Sequence, residues 1–396
     1  MARSTRPLHI DQLVPGDDAD FLHLACLNYR DDRPGFRRRG RAMLEEDPAL
    51  GARDIWTAAC VGNVEIARRM LDDDPSLANA RGGWFNWEPL LYSAYSRVEA
   101  PGGSTLETAE LLVERGADPN VCYLWAGDYR FTALTGAFGE GEQGPVNQPA
   151  HPEWEALARL LLDAGADPND GQALYNRMFG SCNRCLEILL EYGLNRRHRV
   201  NWRSGRGRVL DYQLSWAVRK HHVERAKLLV EHGADPARCL DDGTSLAAAA
   251  AIAGHPGLAE FLVAHGAKPP QPDRVDRFAG ACMAGDAVAV REAVRRDPDL
   301  PRRVQSRHGG LVADAAGAGR LEAVALMADL GFDLEEGDFG APLHMAAVHG
   351  RLEMCELLVG RGVDVSVTDP EGRTARDWAG WRGERKCEVY LSKCEL

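Results

Sequence analysis

Residues 340–364 constrain the fold of the whole chain, because most other segments are variant copies of this stretch. Pro342 stands where the first turn of a helix tolerates a residue without an N–H. Leu343, Ala346 and Ala347 then recur at helical spacing on one apolar face. The stretch therefore begins with a short helix that buries one side.

A second helix follows in the same stretch. Gly350 suits the left-handed residue that ends the first helix, and Leu352, Cys355 and Leu358 form a second apolar stripe that Gly362 closes. The pattern A-P-L-H-x-A-A…G-x-L-x-x-x-x-L-L-x-x-G-x-D resembles the ankyrin repeat, a unit of about 33 residues that stacks on its neighbours. It departs from that pattern at position 341, where an alanine replaces the usual capping threonine.

Glycines that end the outer helices set the register of the repeats. Their spacings run from 28 to 49 residues, apart from one of 65 that spans two units. The hidden boundary in that interval is Asp297-Pro298, where proline stops a helix in place of glycine. We expect an all-α ankyrin-repeat solenoid of about 10–11 helix-turn-helix units with degenerate caps.

The quality of the repeats predicts the domain organisation. Residues 1–20 form a predicted N-terminal leader, and residues 21–396 form the solenoid. Within the solenoid we expect an N-terminal cap at 21–50, irregular repeats with insertions at 52–240, regular repeats at 241–368 and a C-terminal cap at 369–396. Turn-rich insertions are predicted at 99–103 and 140–152. Insertions often mark the ligand face, so we place the working region between about residues 80 and 220.

Charge and hydropathy limit the possible functions. The net charge of −12 disfavours bulk attraction to nucleic acid or anionic lipid, and we expect neither as a partner. No run approaches the roughly 18 uncharged residues of a membrane helix. The first 15 residues lack the pattern of a secretion signal, so we expect a cytoplasmic protein. Arginine outnumbers lysine by 42 to 5, which is typical of a GC-rich and hence bacterial genome.

The cysteines predict neither disulfides nor a metal site. There are ten in 396 residues, mostly at apolar helix positions, and we interpret them as reduced core thiols. Cys182 and Cys185 form a lone C-x-x-C without a second pair of zinc ligands. No metal and no cofactor are expected. His344 takes the L-H position, where the resemblance implies a hydrogen bond to the backbone of an adjacent repeat.

The resemblance also implies a concave groove, formed by the inner helices and the hairpin-like fingers, that binds partners. The predicted groove residues of successive units include Tyr92, Gly136, Asn176 and Trp216, with Tyr95 and Arg219 beside them. Gly136 has Tyr92 on one side and Asn176 and then Trp216 on the other. This order predicts a hollow with aromatic walls.

The fingers of the same units supply further candidate contacts: Trp84, Trp87, Trp125, Tyr129 and Trp202. Aromatic side chains offer a large contact area at low entropic cost. The alternative is that several of them pack beneath the insertions or between fingers. We expect some of them to line a binding site.

An arginine-rich finger spans residues 196–208 and includes Arg203. Its guanidinium groups suit bidentate binding of a carboxylate or phosphate. The alternative is a solvated loop whose arginines pair with neighbouring acids. A similar cluster occurs at residues 33–41, on the N-terminal cap.

Motifs of known enzymes are missing from the sequence. We find no P-loop, G-x-S-x-G, H-E-x-x-H or dinucleotide fingerprint. Glu88, Asp128 and Asp211 stand near the predicted hollow, but sequence spacing does not establish that they converge. The sequence therefore does not indicate an enzyme.

Two functions remain open. The first is an ankyrin-repeat binding protein whose groove takes another protein or a peptide. The alternative is a protein whose aromatic and arginine-lined pocket, within residues 80–220, binds a small anionic or aromatic molecule, as a carrier or as an atypical enzyme. A large open groove favours the former and a closed pocket the latter.

Overall fold

The computed structural model of the protein describes residues 20–195, 208–337 and 340–395. The chain divides into two compact units, Met1–Arg199 and Val200–Leu396. Each unit consists of paired helices, a short inner helix followed by an outer one. The described residues contain eleven such pairs and one two-stranded hairpin.

The first unit holds five pairs. They are α1 (Phe21–Ala25) with α2 (Pro34–Glu46), α3 (Ile55–Val61) with α4 (Val64–Asp73), α5 (Pro89–Tyr95) with α6 (Thr105–Glu114), α7 (Ala133–Phe138) with α9 (Trp154–Asp163), and α10 (Gly171–Met178) with α11 (Arg184–Glu191). A short helix, α8 (Gly144–Asn147), lies between α7 and α9. The hairpin strands are β1 (Cys122–Trp125) and β2 (Tyr129–Thr132), and 3-10 turns cover Pro48–Ala52 and Pro75–Asn79.

The second unit holds six pairs and one extra helix. The pairs are α12 (Val209–Arg219) with α13 (Val223–Glu231), α14 (Leu246–Ile252) with α15 (Pro256–Ala264), α16 (Arg274–Met283) with α17 (Ala287–Arg296), α19 (Leu311–Gly317) with α20 (Leu321–Asp329), α21 (Pro342–Val348) with α22 (Leu352–Gly360), and α23 (Ala375–Arg382) with α24 (Arg385–Cys394). The extra helix is α18 (Leu300–Arg307), which the sequence did not predict.

The pair α21–α22 shows why the sequence folds in this way. Pro342 is the first residue of α21, and Ala341 provides no side-chain cap. Gly350 ends the turn with φ 66°, and Gly362 follows α22 with φ 90°, a left-handed conformation that favours glycine. The helix pair predicted for residues 340–364 is confirmed. The end of α17 at Arg296, just before Asp297-Pro298, confirms the predicted hidden boundary.

The two predicted insertions separate paired helices of the first unit. The stretch at 99–103 lies between α5 and α6, and the longer one lies between α7 and α9 and contains α8. We call residues 139–150 the insertion loop. Insertions of this kind leave the helix pairs intact, because each pair buries its apolar faces against its neighbours.

Helices α16 to α24 of the second unit share one continuous apolar cluster. It extends from Val275 in α16 to Leu391 in α24 and includes Met327, Leu343 and Leu358. The extra helix α18 contributes its buried apolar residues to the same cluster. Among the described residues, no helix is both long and apolar enough to cross a membrane.

Replacing Leu358 by alanine should destabilise the second unit by about 2 to 5 kcal/mol, the usual cost of such a cavity. Because stability in stacked repeats is carried by nearest-neighbour contacts, we expect hydrogen exchange to speed up first in α19–α24. Val389→Ala, at an exposed position of α24, is the matched control and should have little effect. An equal loss of protection in α3–α6 would contradict the nearest-neighbour picture.

Candidate functional site

The β1–β2 hairpin forms one finger of the first unit. Its strands are antiparallel, with Tyr123 opposite Phe131 and Trp125 opposite Tyr129. Side chains alternate between the two faces of a strand, so these four aromatic residues share one face. Leu124 lies on the other face and is 57% exposed.

The preceding finger is closed by reciprocal backbone hydrogen bonds between Gly82 and Trp87. The indole of Trp87 stacks on Phe85, with ring centroids 4.3 Å apart, and on Tyr123 of the hairpin, at 4.5 Å. The two fingers are thereby joined by aromatic stacking. Trp84 lies at the tip of the finger closed by Gly82 and Trp87. It is 56% exposed, and its ring stacks on His23.

Four of the predicted contact residues are buried in the first unit. They are Trp87, Tyr92, Tyr95 and Asn176. The Tyr92 hydroxyl donates to Gly82 O at 2.8 Å, and the Tyr95 hydroxyl donates to Thr132 O at 2.8 Å. These side chains build the fingers and the inner helices from within. Trp84 is exposed, and Trp125 and Tyr129 are half-buried at the hairpin.

At Gly136, where the sequence predicted a hollow, the ring of Tyr95 occupies the space beside the glycine. A Cβ atom at Gly136 would lie 2.5 Å from ring atoms of Tyr95, so glycine is required for that ring to pack there. The ring of Tyr29, from the turn after α1, packs against Phe131 at 4.7 Å and against Tyr95 at 6.3 Å. We call this space, bounded by Tyr95, Phe131, Gly141 and Asn176, the aromatic hollow.

Arg97 joins three elements around this hollow. Its buried guanidinium donates to Ala94 O and Ser96 O at the end of α5, to Gly136 O in α7 and to Pro149 O in the insertion loop, over 2.6–3.0 Å. Burial lowers the pKa of Arg97 to about 10, so the group stays charged at neutral pH.

The insertion loop has further anchors. Arg37 donates to Val146 O and Asn147 O at 2.6 and 2.7 Å. Gln148 donates to Asp32 at 3.1 Å, and Glu140 forms an ion pair with Arg177 of α10. Burial raises the pKa of Asp32, which the hydrogen bonds from Asn28, Gln148 and Tyr29 oppose. The loop is thus held from both sides by buried polar groups.

His151, directly after the insertion loop, belongs to a chain of hydrogen bonds. Its Nδ1 accepts from Glu153 N at 3.1 Å, and its Nε2 lies 2.7 Å from Thr105 Oγ1. Thr105 in turn donates to Glu99 at 2.5 Å. This pattern assigns the neutral tautomer with a proton on Nε2. Burial, aided by the charge of Arg97, lowers the pKa of His151 to about 3.

The remaining predicted contact residues lie elsewhere. Trp216 and Arg219 are on α12 of the second unit, where Trp216 is half-buried with the Lys220 ammonium 5.6 Å from its ring and Arg219 is exposed. Trp202, Arg203 and the rest of the arginine-rich finger up to residue 207 lie outside the described residues. Its last member, Arg208, pairs with Asp211 at 2.8 Å.

The three carboxylates considered for acid-base chemistry have separate surroundings. Glu88 is half-buried, 3.5 Å from Arg81, whereas Asp128 is exposed at the hairpin turn. Asp211 belongs to the second unit. Within the described ranges, no group of three or more His, Cys, Asp or Glu side chains could hold a metal ion.

One structural interpretation from the sequence, the role of His344, is confirmed. His344 Nε2 lies 3.0 Å from Arg373 O of the next helix pair, which is the backbone bond that the resemblance implied. Cys185 is buried in α11 and Cys182 is exposed, and both are free thiols.

Sequence reasoning missed several residues of this region. Tyr29, Arg97 and Gln148 carry no helical or strand period, because each stands in a connection between helices. Tyr123 and Phe131 alternate with polar neighbours over too short a stretch to distinguish a hairpin from a loop. The only usable signal in the sequence was the pair Asn28 and Asp32, because Asn and Asp side chains often hydrogen-bond to the backbone of a tight turn.

A family model described as "Ankyrin repeats (many copies)" matches residues 214–263 and 343–387. The chain therefore contains ankyrin repeats, and both the resemblance and the all-α ankyrin-repeat class are confirmed.

Three curated proteins share similarity with parts of the chain. Espin-like protein of Homo sapiens is 48% identical over 52 residues, which is 13% of this chain and 5% of that protein. Ankyrin repeat and KH domain-containing protein mask-1 of Caenorhabditis elegans is 29% identical over 167 residues, covering 41% and 6%. E3 ubiquitin-protein ligase hecd-1 of the same species is 36% identical over 70 residues, covering 18% and 3%. The chain thus spans a small fraction of each relative.

Replacing Arg97 by methionine keeps an apolar stem but removes every hydrogen bond to the four carbonyl groups. Buried carbonyls without donors are costly, so we expect a loss of about 3 to 5 kcal/mol in the free energy of unfolding. Protease digestion should then cut the insertion loop faster. Arg130→Met, at an exposed position of β2, is the control. Equal stability of the two variants would show that Arg97 does not hold the loop.

Protonation of His151 should lower the free energy of unfolding of the first unit in mild acid. Its folded pKa lies below the unfolded value of about 6.5, so the unfolded state binds more protons as pH falls. The stabilisation that comes from keeping His151 neutral is complete above about pH 6.5 and is lost as pH falls from there towards about 3. Between pH 7 and pH 5 the loss should be about 2 kcal/mol.

Urea unfolding of the wild type and of His151→Gln at the two pH values isolates this contribution. The difference between pH 7 and pH 5 should shrink by that amount in the variant. An unchanged difference would show that His151 is not the group that titrates.

Proposed function

We propose that the protein binds a polypeptide partner through the fingers of its first unit. Ankyrin repeats mediate protein–protein binding in general, which supports the class of partner. The observation that carries the proposal is the exposure of Trp84 and Leu124 on adjacent fingers. An exposed tryptophan such as Trp84 is a common anchor of protein–protein interfaces.

The packing beneath these two residues supports the same surface. Trp87 stacks on Tyr123, so the fingers are braced against each other before any partner arrives. A braced surface loses little conformational freedom on binding, which favours affinity. Exposed Arg81, Asp128 and Arg130 supply polar groups around the apolar centre, as in a typical interface.

The predicted contact residues take two roles in this proposal. Trp84 and Leu124 contact the partner, and Trp125 and Tyr129 contact it from the opposite face of the hairpin to Leu124. Trp87, Tyr92, Tyr95 and Asn176 support that surface from within. Trp202, Arg203, Trp216 and Arg219 stay proposed contact residues and are not assigned to this surface.

A protein partner is favoured over the small-molecule alternative. The aromatic hollow that could have held a small aromatic ligand is filled by the chain's own Tyr29 ring, which packs against Tyr95 and Phe131. We further propose a cytoplasmic location, since all ten cysteines are free thiols, as in a reducing compartment, and a bacterial source, which rests on the arginine content alone. No nucleic acid, membrane or cofactor is part of the proposal.

Selection of random 16-residue peptides on phage against the full chain tests this function. The selected peptides should bind the purified protein. Trp84→Ala and Leu124→Ala should each weaken that affinity about tenfold or more. Val288→Ala is the matched control, because Val288 is 72% exposed in the second unit. The proposal fails if the selected peptides tolerate both finger variants.

A further inference from the structure

We infer that the turns between inner and outer helices of the second unit form a binding site for a phosphate group. Five basic side chains line this site, and we call them the cationic cluster: Lys220, His221, His222, His349 and Arg351. The site belongs to the second unit, whereas the proposed function uses the fingers of the first. It is therefore a second binding activity, with a ligand of different chemistry.

The turns of three helix pairs meet at Arg320. Its Nη1 donates to Ala253 O at 2.6 Å and to Met283 O at 2.8 Å, so one guanidinium reaches the ends of α14 and α16. Gly254 makes room for it, because a Cβ atom at this position would lie 2.7 Å from Arg320 Nη1. Turns that stand far apart in sequence are thus brought into contact.

Two members of the cationic cluster extend this contact in opposite directions. Arg320 Nη2 lies 2.5 Å from His255 Nε2, which in turn lies 3.3 Å from His221 Nδ1 in the turn between α12 and α13. On the other side, Arg351 Nε donates to Gly317 O at 3.3 Å, at the end of α19. A row of basic side chains therefore follows the turns from α12 to α21.

Lys220, His222 and His349 complete the cluster. Burial, followed by the charges of basic neighbours, lowers the pKa of His222 and of His349 to about 4. Lys220 is one of these neighbours for both rings, so its charge acts on the two histidines together. His349 is exposed, and Lys220 and His222 are half-buried. Solvent, and hence a small ligand group, can reach this part of the cluster.

The cluster carries positive charge without an acidic partner in the described part of the chain. The described groups that act on the pKa of His349 are Arg351, Arg382 and Lys220, all of them basic. Glu384 lies beside Gly350 but is not among them. None of the ion pairs between described residues of the second unit includes Arg351 or a histidine of the cluster. A bound anion would supply the missing negative charge.

His221 stands where the other turns have glycine. Gly254, Gly285, Gly319 and Gly350 take φ angles between 66° and 74° at the equivalent position, and His221 has φ 59°. A residue with a side chain adopts this left-handed conformation only under constraint. Strain of this kind is often found at functional sites, so the imidazole of His221 is more simply explained by binding than by stability.

The free nitrogen of His221 indicates what binds. Its Nε2 is buried and has no hydrogen-bond partner among the described residues. An anion beside the ring would favour the protonated imidazole, in which both nitrogens donate hydrogen bonds. An anionic acceptor would therefore pair with Nε2 and balance the surrounding charges at the same time.

A phosphate group fits the cluster better than a carboxylate does. The basic side chains come from different turns, whereas a carboxylate offers two oxygens in one plane. A phosphate monoester carries nearly two negative charges at neutral pH and three acceptor oxygens that point in different directions. Two sources present such a group: a phosphorylated side chain of a polypeptide and a small phosphate compound.

Isothermal titration calorimetry of the full chain with inorganic phosphate tests the site. Phosphate should bind the wild type, and Lys220→Met should weaken its affinity about tenfold, because charge-assisted hydrogen bonds are strong. Lys386→Met is the matched control, since it removes the same charge from an exposed position of α24. Its affinity should equal that of the wild type.

His221→Asn separates a binding role from a structural one. Asparagine tolerates the left-handed conformation, so the urea midpoint should stay close to that of the wild type. The affinity for phosphate should nevertheless fall by a factor similar to that of Lys220→Met. A lower midpoint with unchanged affinity would show that His221 only supports the turn, which contradicts the inference.

A phosphoserine peptide and its unphosphorylated form distinguish the two sources. Tighter binding of the phosphopeptide than of inorganic phosphate indicates a polypeptide, and equal or weaker binding indicates a small phosphate compound. The inference is overturned if phosphate does not bind the wild type, or if Lys220→Met and His221→Asn bind it as tightly as Lys386→Met. Neither result bears on the fingers, because the phage-selected peptides report on Trp84 and Leu124.

Discussion

Capping of inner-helix carbonyl groups by guanidinium groups is the interaction on which this structure depends. The last carbonyls of a helix have no partner within it and carry negative partial charge, so a cation placed there is stabilising. Arg97 caps the ends of α5 and α7 in this way. In the second unit, Arg320 donates to Ala253 O and Met283 O, and Arg351 donates to Gly317 O. Each of these bonds from Arg320 and Arg351 crosses from one helix pair to another.

The two units apply this device differently. Arg320 and Arg351 precede outer helices at equivalent positions of successive pairs, so the capping repeats with the fold. Arg97 follows an inner helix and reaches the insertion loop, a segment that the regular pairs lack. Its charge is buried, and burial of an ion is favourable only where hydrogen bonds satisfy it fully. The first unit can therefore carry a long insertion without leaving that loop loose.

Features of the fold that depend on neighbouring residues could be predicted from the sequence. Contacts between the fingers, the turn after α1 and the inner helices could not. The helix pair at 340–364 followed from proline, glycine and apolar spacing, which act within a few residues. The hollow at Gly136 was predicted from residue order, because one missing side chain leaves a gap in a regular stack. The sequence did not predict that the Tyr95 ring fills this gap, or that Tyr29, more than 100 residues away in sequence, packs against Tyr95. The burial of Tyr92 and Tyr95 was missed for the same reason: the fingers and turn that cover them lie elsewhere in the chain.

The distribution of aromatic side chains explains why binding is assigned to the first unit. A regular pair such as α21–α22 buries its apolar residues and needs no further support. In the fingers, the rings of Trp87 and Tyr123 instead stack on each other, and Trp84 and Leu124 remain exposed. Exposed apolar area is a cost to the free protein that a partner would recover. Stacked rings of Trp87 and Tyr123 beside the exposed Trp84 and Leu124 are therefore more simply explained by binding of a partner than by a need for stability.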